Sequence, residues 1–282
     1  MTIQEKITTA GRREITGTQC IRRSFAIVRL LAGSSEEGEK LVDIANEVGL
    51  AHPTAHRILK ALEDEGIVER ALGSQRYRLA AETAWLGVAP FNRCPITRYA
   101  SAHLDELTRI TGDSVLLSVP SHIDSVYADR RFGNIPTLIR HADIGSRRPL
   151  GLGIGGRVML AFMNAGRVET TLAENAARYA QAGVDVADIR ADIEEARSLG
   201  YLVANNPLSR ESRIAAIPVK DITGRAIGAI CLVGPRSPGF QQRIDRTLPH
   251  LRAAARDISD AIQQQRLLGR NRLPSEMDHL AS

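Results

Sequence analysis

The chain has 282 residues, of which 43% are hydrophobic and 24% are charged, and these ordinary globular proportions exclude a mostly disordered protein. Its longest apolar stretch, residues 226–233, is far shorter than the ~20 residues of a membrane-spanning helix. The polar first residues lack a signal-peptide core, and three widely spaced cysteines do not indicate a disulfide framework. We therefore expect a soluble, cytoplasmic protein. The net charge of +5 permits a polyanionic partner without requiring one.

The N-terminal part of the chain has the element order of a winged helix-turn-helix domain, which we place at residues 18–80. A polar, flexible arm is expected before it, at residues 1–17. Apolar side chains at helical spacing predict three helices, and period-two alternation predicts a two-stranded wing. The helices are expected at residues 19–32, 41–48 and 53–65, and the strands at residues 67–70 and 76–79.

After a connecting helix at residues 81–95, the chain predicts a second domain at residues 96–268, with a frayed tail at residues 269–282. Strands with helices before, between and after them indicate an α+β domain around one antiparallel sheet. The helices are expected at residues 96–111, 156–162, 168–179, 188–198 and 245–268. The strands are expected at residues 114–119, 124–130, 137–140, 201–205, 214–219 and 226–233.

The third helix has the charge pattern of a helix that lies against DNA. No acidic residue occurs from Ala51 to Leu62, as insertion beside phosphates requires. Its expected outward-facing side chains, together with two from the wing, form the predicted DNA-binding set: Thr54, His56, Arg57, Lys60, Arg76 and Tyr77. The alternative is an ordinary solvated surface on a three-helix packing unit.

These residues also carry a family resemblance. The run LVDIANEVGLAHPTAHRILKALEDEGIVER, followed by RYRLA, resembles the DNA-binding domain of the IclR family of bacterial transcriptional regulators. Four downstream segments are similar to that family in the same order: LDELTRITGDSVLLSV, ARSLGYLV, RIAAIPVKDITGRAIGAICLVGP and HLRAAARDISDAI. The resemblance covers about residues 19–265. It implies a GAF-like C-terminal domain that binds a small effector, and a homodimer or tetramer on double-stranded operator DNA.

The resemblance also implies where the effector binds. Relatives that bind small keto acids use backbone amides of a glycine loop and polar side chains on the sheet. Carried over by motif, these positions are Ile154, Gly155, Ala204, Ile214, Cys231 and Val233. Since apolar or weakly polar residues stand where the relatives have an Asp, a Cys and two serines, we expect a larger and less polar ligand, such as an aromatic acid from a catabolic pathway. Asn205, Asn206 or His141 could restore polarity.

The glycine loop, residues 151–156, also contains the spacing GxGxxG. A dinucleotide site would require a preceding buried strand in a βαβ unit, and the surrounding pattern does not predict one. We favour a loop whose amides hold a small ligand at a helix N-terminus, with a purely structural glycine turn as the alternative. No cofactor is expected.

Catalysis and metal binding have little support in the sequence. His52 and His56 have a spacing that could bind a metal on a helix, but no glutamate lies between them and no cysteine is near. No nucleophile and base cluster, and Cys231 lies in an apolar strand that suggests core packing. We expect a regulator and not an enzyme. A metabolite-binding or catalytic GAF-like domain, or an interaction module without ligand, stays as the alternative.

The connecting helix carries the only tryptophan of the chain, Trp85, beside Leu86 and Val88. A short helix that presents a tryptophan has to bury it against another surface. We favour packing on a second subunit, and packing on its own chain is the alternative.

Overall fold

The computed structural model describes residues 18–71, 73–86, 96–135 and 143–270. The expected arm, the expected strand at residues 137–140, the second half of the connecting helix and nearly all of the tail lie outside these residues. The chain divides into two compact units, residues 1–93 and 94–282. In the described part of the chain, no helix is both long and apolar enough to cross a membrane.

The described residues of the first unit form three main helices, a short helical segment and one small antiparallel sheet. Its elements are α1 (Gln19–Ala32), β1 (Glu39–Lys40), α2 (Leu41–Glu47), α3 (His52–Asp64), β2 (Val68–Arg70) and β3 (Arg76–Leu79). The strand order is β1-β3-β2, so the predicted wing gains a third strand, β1, that sequence analysis missed. Residues 82–86, just beyond the unit's last strand, are helical.

Four described glycines of this unit have a positive φ, and two of them shape the turn before α3 and the pairing of the wing. Gly49 ends α2 with φ +65, and the amide of Leu50 then donates to the carbonyl of Ala45 at 2.8 Å, which closes the helix. Gly38 has φ +75, and a Cβ there would collide with the backbone carbonyl of Tyr77. The first fixes the turn before α3, and the second lets β1 pair with the wing.

The second unit is built around a six-stranded sheet in which every neighbouring pair is antiparallel, in the order β6-β5-β4-β9-β8-β7. Its strands are β4 (Ser114–Ser121), β5 (Asp124–Arg131), β6 (Arg147–Pro149), β7 (Leu202–Asn205), β8 (Ser212–Lys220) and β9 (Ala226–Pro235). Its helices are α4 (Ile96–Thr111), α5 (Ile154–Ala161), α6 (Ala165–Gln181), α7 (Val186–Leu199) and α8 (Pro238–Arg270). The predicted α+β fold is confirmed, and α8 begins earlier than expected.

Helices cover both faces of the sheet because successive side chains of its central strands point to opposite sides. Leu117, Ile217 and Ile230 face a core shared with α4 and α8. Leu116 and Cys231 face the other core, shared with α5, α6 and α7. The central strands are therefore buried on both sides, as their near-continuous apolar sequences require.

A buried ion pair joins α8 to the start of β4 in the second unit. Asp113, which precedes β4, is fully buried, and both of its carboxylate oxygens accept from the guanidinium of Arg243 at 2.9 and 3.1 Å. Burial raises the pKa of Asp113, and Arg243 opposes that rise. The ion pairs described in the first unit are, by contrast, between partly exposed side chains.

Candidate functional sites

Helix α3 presents one buried face and one exposed, basic face. Ala55, Ile58 and Leu59 pack into the core of the first unit. The predicted DNA-contact residues lie on the other side, where His56, Arg57 and Lys60 are exposed and Thr54 is half-buried. The Nζ of Lys60 lies 3.3 Å from a carboxylate oxygen of Asp64, and both side chains are largely exposed. The exposed N-terminal part of α3 thus carries positive charge and no negative charge.

Successive side chains of β3, in the wing, point to opposite sides of the small sheet. Arg76 and Arg78 point to one side, where Arg76 donates to the carbonyl of Gly38 at 2.9 Å and Arg78 donates to Glu69 at 2.7 Å. Tyr77 points to the other side and is only 4% exposed. Its hydroxyl accepts from Arg70 at 2.9 Å. The inclusion of Tyr77 among DNA-contact residues is therefore wrong, because the side chain belongs to the core.

The second unit contains a cavity of about 300 Å³ between the start of α5, the sheet and the loop that joins β7 to β8. Five of the carried-over effector positions line it: Ile154, Gly155, Ile214, Cys231 and Val233. Ala204 does not. It pairs with Ile214 across β7 and β8 but lines a separate depression beside Arg157 and Asp192.

The glycine loop brings the N-terminus of α5 directly onto the sheet. A Cβ on Gly155 would lie 2.5 Å from the Sγ of Cys231, and one on Gly156 would lie 2.6 Å from the amide nitrogen of Gly151. The N-cap residue, Gly153, offers no side chain to the first turn, so the amides there are left for a ligand or water. The loop follows an edge strand of an antiparallel sheet, which contradicts the βαβ context of a dinucleotide site.

A buried arginine holds this loop in place. Arg157, near the start of α5, is only 5% exposed. Its Nε donates to the carbonyl of Gly151 at 3.0 Å, and its Nη1 donates to Asp192 on α7 at 2.5 Å. The arginine therefore joins the glycine loop to α7 through two partners at once.

The cavity is more polar than sequence analysis predicted. Besides apolar side chains, the cavity is lined by residues with hydroxyl, amide or charged groups: Ser118, Ser125, Tyr127, Arg148, Asn206, Ser209, Arg210 and Glu211. The guanidinium carbon of Arg148 lies 5.5 Å from the centre of the Tyr127 ring. The motif carry-over missed Ser125, Tyr127 and Arg148 because β5 and β6 lie outside the segments that resemble the family. The alternation of inward and outward side chains along residues 124–128 (DSVYA) and 147–150 (RRPL) was the signal that could have predicted them.

The residues that were expected to restore polarity behave differently from one another. Asn206 lines the cavity, but its amide group donates to Ser212 at 2.9 Å and accepts from the backbone of Leu208 at 3.1 Å. Asn205 lines the separate depression beside Ala204. His141 lies outside the described residues.

Two titratable groups of the cavity wall, the thiol of Cys231 and the hydroxyl of Tyr127, favour their neutral forms. Burial raises the pKa of the Cys231 thiol to about 12, although a hydrogen bond with Ser118 opposes this rise. Burial also raises the pKa of Tyr127, with Arg148 acting in the opposite direction. The thiol is therefore protonated at neutral pH and is a poor nucleophile. Among the described residues, no group of three or more His, Cys, Asp or Glu side chains could hold a metal ion.

Two family models match this chain. The IclR helix-turn-helix domain matches residues 21–71, and the model described as bacterial transcriptional regulator IclR C-terminal matches residues 89–260. The glycerol operon regulatory protein of Streptomyces griseus is 28% identical over 258 residues, which cover 89% of this chain and 98% of that protein.

Solved structures have the same fold at low sequence identity. An IclR transcriptional regulator from Alicyclobacillus acidocaldarius has a TM-score of 0.70 and 21% identity, covering 86% of this chain and 97% of the other. An IclR homolog from Microbacterium hydrocarbonoxydans, solved in complex with 4-hydroxybenzoate, has a TM-score of 0.65 and 19% identity, covering 86% and 99%.

Proposed function

We propose that this chain, which belongs to the IclR family of bacterial transcriptional regulators, binds operator DNA in the cytoplasm and changes its DNA affinity when a small organic acid occupies the cavity of the second unit. Its relatives are DNA-binding regulators, and regulation, not catalysis, is the function that we assign. The observation that carries the DNA-binding half is the exposed basic face of α3, free of acidic residues from position 51 to 62.

On this proposal, Arg57 reads a base or positions α3 on the backbone, with Thr54, His56 and Lys60 beside it in the major groove. Arg76 contacts a phosphate from the wing while its bond to Gly38 holds the side chain in place. Backbone contacts of this kind set the register of a protein on DNA, and base contacts set its sequence preference.

We further propose a homodimer or a dimer of dimers. Large apolar side chains of the first unit are exposed within the single chain: Ile21 and Phe25 on α1, and Trp85 and Leu86 in the connecting helix. Exposed apolar surface of this kind marks association sites. A two-fold dimer requires a roughly palindromic operator whose half-sites lie one helical turn, or a multiple of a turn, apart.

The effector that we propose is an aromatic acid. Its ring would lie against Ile214, Cys231 and Val233, whose side chains are buried in the cavity wall, and its carboxylate would accept from the amides of Ile154 and Gly155 at the N-terminus of α5. The complex of the Microbacterium homolog with 4-hydroxybenzoate supports this class of ligand. An operon for the breakdown of such an acid is the proposed target, and the Streptomyces relative is named for an operon of another small metabolite.

Selection of bound sequences from random DNA tests the DNA-binding half. We expect enrichment of one roughly palindromic motif, and an Arg57→Ala variant should lose about 1–3 kcal/mol of binding free energy if Arg57 contacts a base in bidentate fashion. Arg190→Ala, on the exposed surface of α7, is the matched control that should leave the motif unchanged. Enrichment of no motif would contradict the proposal.

Calorimetry and operator binding test the effector half. Benzoate and 4-hydroxybenzoate should bind and shift DNA affinity without being consumed, while glyoxylate and pyruvate should bind weakly or not at all. Ile214→Asp should abolish aromatic-acid binding because it buries a carboxylate in the ring site. Tight keto-acid binding without aromatic-acid binding argues against the ligand class, and turnover of the acid argues for the enzymatic alternative.

A further inference from the structure

Two arginines line the cavity in addition to the N-terminus of α5: Arg210 lies in the loop after β7, next to Glu211, and Arg148 lies at the opposite edge of the sheet. Arg148 lies on β6, the edge strand of the sheet, and its cross-strand partner on β5 is Ser125. Cross-strand partners share one face of a sheet, and both residues line the cavity together with Tyr127. A full positive charge therefore lies on the cavity wall at the β6 end of the sheet.

The register of the sheet separates this charge from the α5 amides. Gly155 lies over β4 and β9, since a Cβ there would meet Cys231 and Ser118. The guanidinium of Arg148 lies over the ring of Tyr127 on β5, and Ser118 is the β4 partner of Tyr127. Because neighbouring strands are about 4.8 Å apart, roughly one to two strand spacings lie between the two anion-attracting groups. That interval matches one aromatic ring with a substituent at each end.

The geometry of the arginine suits a carboxylate. The guanidinium carbon of Arg148 lies 5.5 Å from the centre of the Tyr127 ring, and a planar guanidinium with its N–H donors in a fork can bind a carboxylate in bidentate fashion. Its neighbour Arg147 serves another purpose, because alternate side chains of a strand point to opposite faces. Arg147 donates to Asp124 at 3.3 Å and to Ser121 at 3.0 Å.

We infer that Arg148 is a specificity-determining residue that binds a second acidic substituent, so that the effector is an aromatic acid with two anionic groups. One group binds at the α5 amides and the other at Arg148, with the ring between them against Cys231, which lines the same cavity. This inference rests on the proposed function, because it assumes that the cavity is the effector site.

The test compares benzoate with the benzene-1,2-, 1,3- and 1,4-dicarboxylates by calorimetry. The wild-type protein should bind one of the dicarboxylates about 10- to 100-fold more tightly than benzoate, as expected for one charge-assisted bidentate contact. Arg148→Gln should remove this preference because it should weaken binding of the dicarboxylate far more than binding of benzoate. Arg147→Gln, one residue away on the opposite face, is the matched control and should keep the preference.

The outcomes separate the inference from the proposed function. If the wild-type protein binds benzoate as well as every dicarboxylate, or if Arg148→Gln keeps the preference, the role of Arg148 is wrong and the effector site stands. If none of the acids binds, the aromatic-acid site itself is wrong. Thermal melts establish that each variant folds. Should Arg148→Gln not fold, Arg148→Lys retains the charge without the fork and should lose most, but not all, of the preference.

Discussion

The two units of this protein place their functional residues in different ways. In the first unit, the proposed DNA-contact residues lie mainly on one short helix, α3, whose exposed face is set by local sequence periodicity. In the second, the cavity wall is assembled from β4, β5, β6, β8, β9, the start of α5 and a loop, so residues more than a hundred positions apart become neighbours. A surface made by one element can be found by reading along the chain, whereas a cavity made by seven segments depends on the register between strands.

The reactivity of two cysteines can compare the exposed surface of the first unit with the cavity wall of the second. Cys20 on α1 is exposed, and Cys231 in the cavity wall is buried. With a pKa of about 12, the Cys231 thiol is ionised at pH 8 in about one molecule in 10⁴, against about one in four for an ordinary thiol. Because the thiolate is the reactive form, iodoacetamide should modify Cys231 about 10³-fold more slowly than Cys20.

Single-cysteine variants make that comparison clean. Cys94→Ser combined with Cys231→Ser reports Cys20, and Cys94→Ser combined with Cys20→Ser reports Cys231. The rate at Cys231 should rise about tenfold for each unit of pH from about 7 to 9, since this range lies far below its pKa. Equal rates at the two cysteines would show that the cavity wall opens to solvent.

The next largest expected effect concerns the stability of the second unit. Arg243→Met leaves the buried carboxylate of Asp113 without its cation, which should cost about 3–5 kcal/mol of unfolding free energy. The folded-state pKa of Asp113, already raised by burial, should rise further. The folded protein then binds more protons than the unfolded chain, so the deficit should shrink as the pH falls from about 8 to 5.

Urea titrations monitored by circular dichroism at several pH values provide the measurement. Arg109→Met is the matched control because Arg109 pairs with Glu106 on the exposed surface of α4, where an ion pair contributes little. If both variants lose equal stability, the buried pair does not anchor α8 as described.

A smaller effect is expected from a substitution that weakens effector binding in the cavity and leaves DNA binding unchanged. In a Gly155→Ala variant the new methyl group would lie 2.5 Å from the Sγ of Cys231, so α5 has to move away from the sheet. We expect a loss of about 1–3 kcal/mol of stability, typical of overpacking, and weaker aromatic-acid binding with unchanged operator affinity in the absence of effector. Gly166→Ala, at the exposed start of α6, is the control, since a methyl group there would meet no atom within 4 Å.

Sequence reasoning recovered most of the fold and only part of the sites, for physical reasons that differ between residues. Helix α3 was predictable because its period and its missing acids are local properties. Tyr77 was misassigned since its flanking arginines suggested a surface, although alternation on β3 turns it inward. Arg148 was missed because its role depends on the pairing of β5 with β6. The motif predicted that Ala204 lines the cavity. In the structure its position on β7 lines a separate depression instead.

The smallest expected effect tests the surface that local sequence did predict. Lys60 lies 3.3 Å from Asp64 in the free protein, and the proposal requires its ammonium group to contact a phosphate instead. A single phosphate contact changes affinity modestly, but it releases about one counterion, so Lys60→Ala should lower the slope of log K against log salt by about one. Operator titrations between 50 and 200 mM salt, roughly the range over which such slopes are resolved, measure it. Arg190→Ala should leave the slope unchanged, and an unchanged slope for Lys60→Ala would mean that the ammonium group stays with Asp64 on DNA.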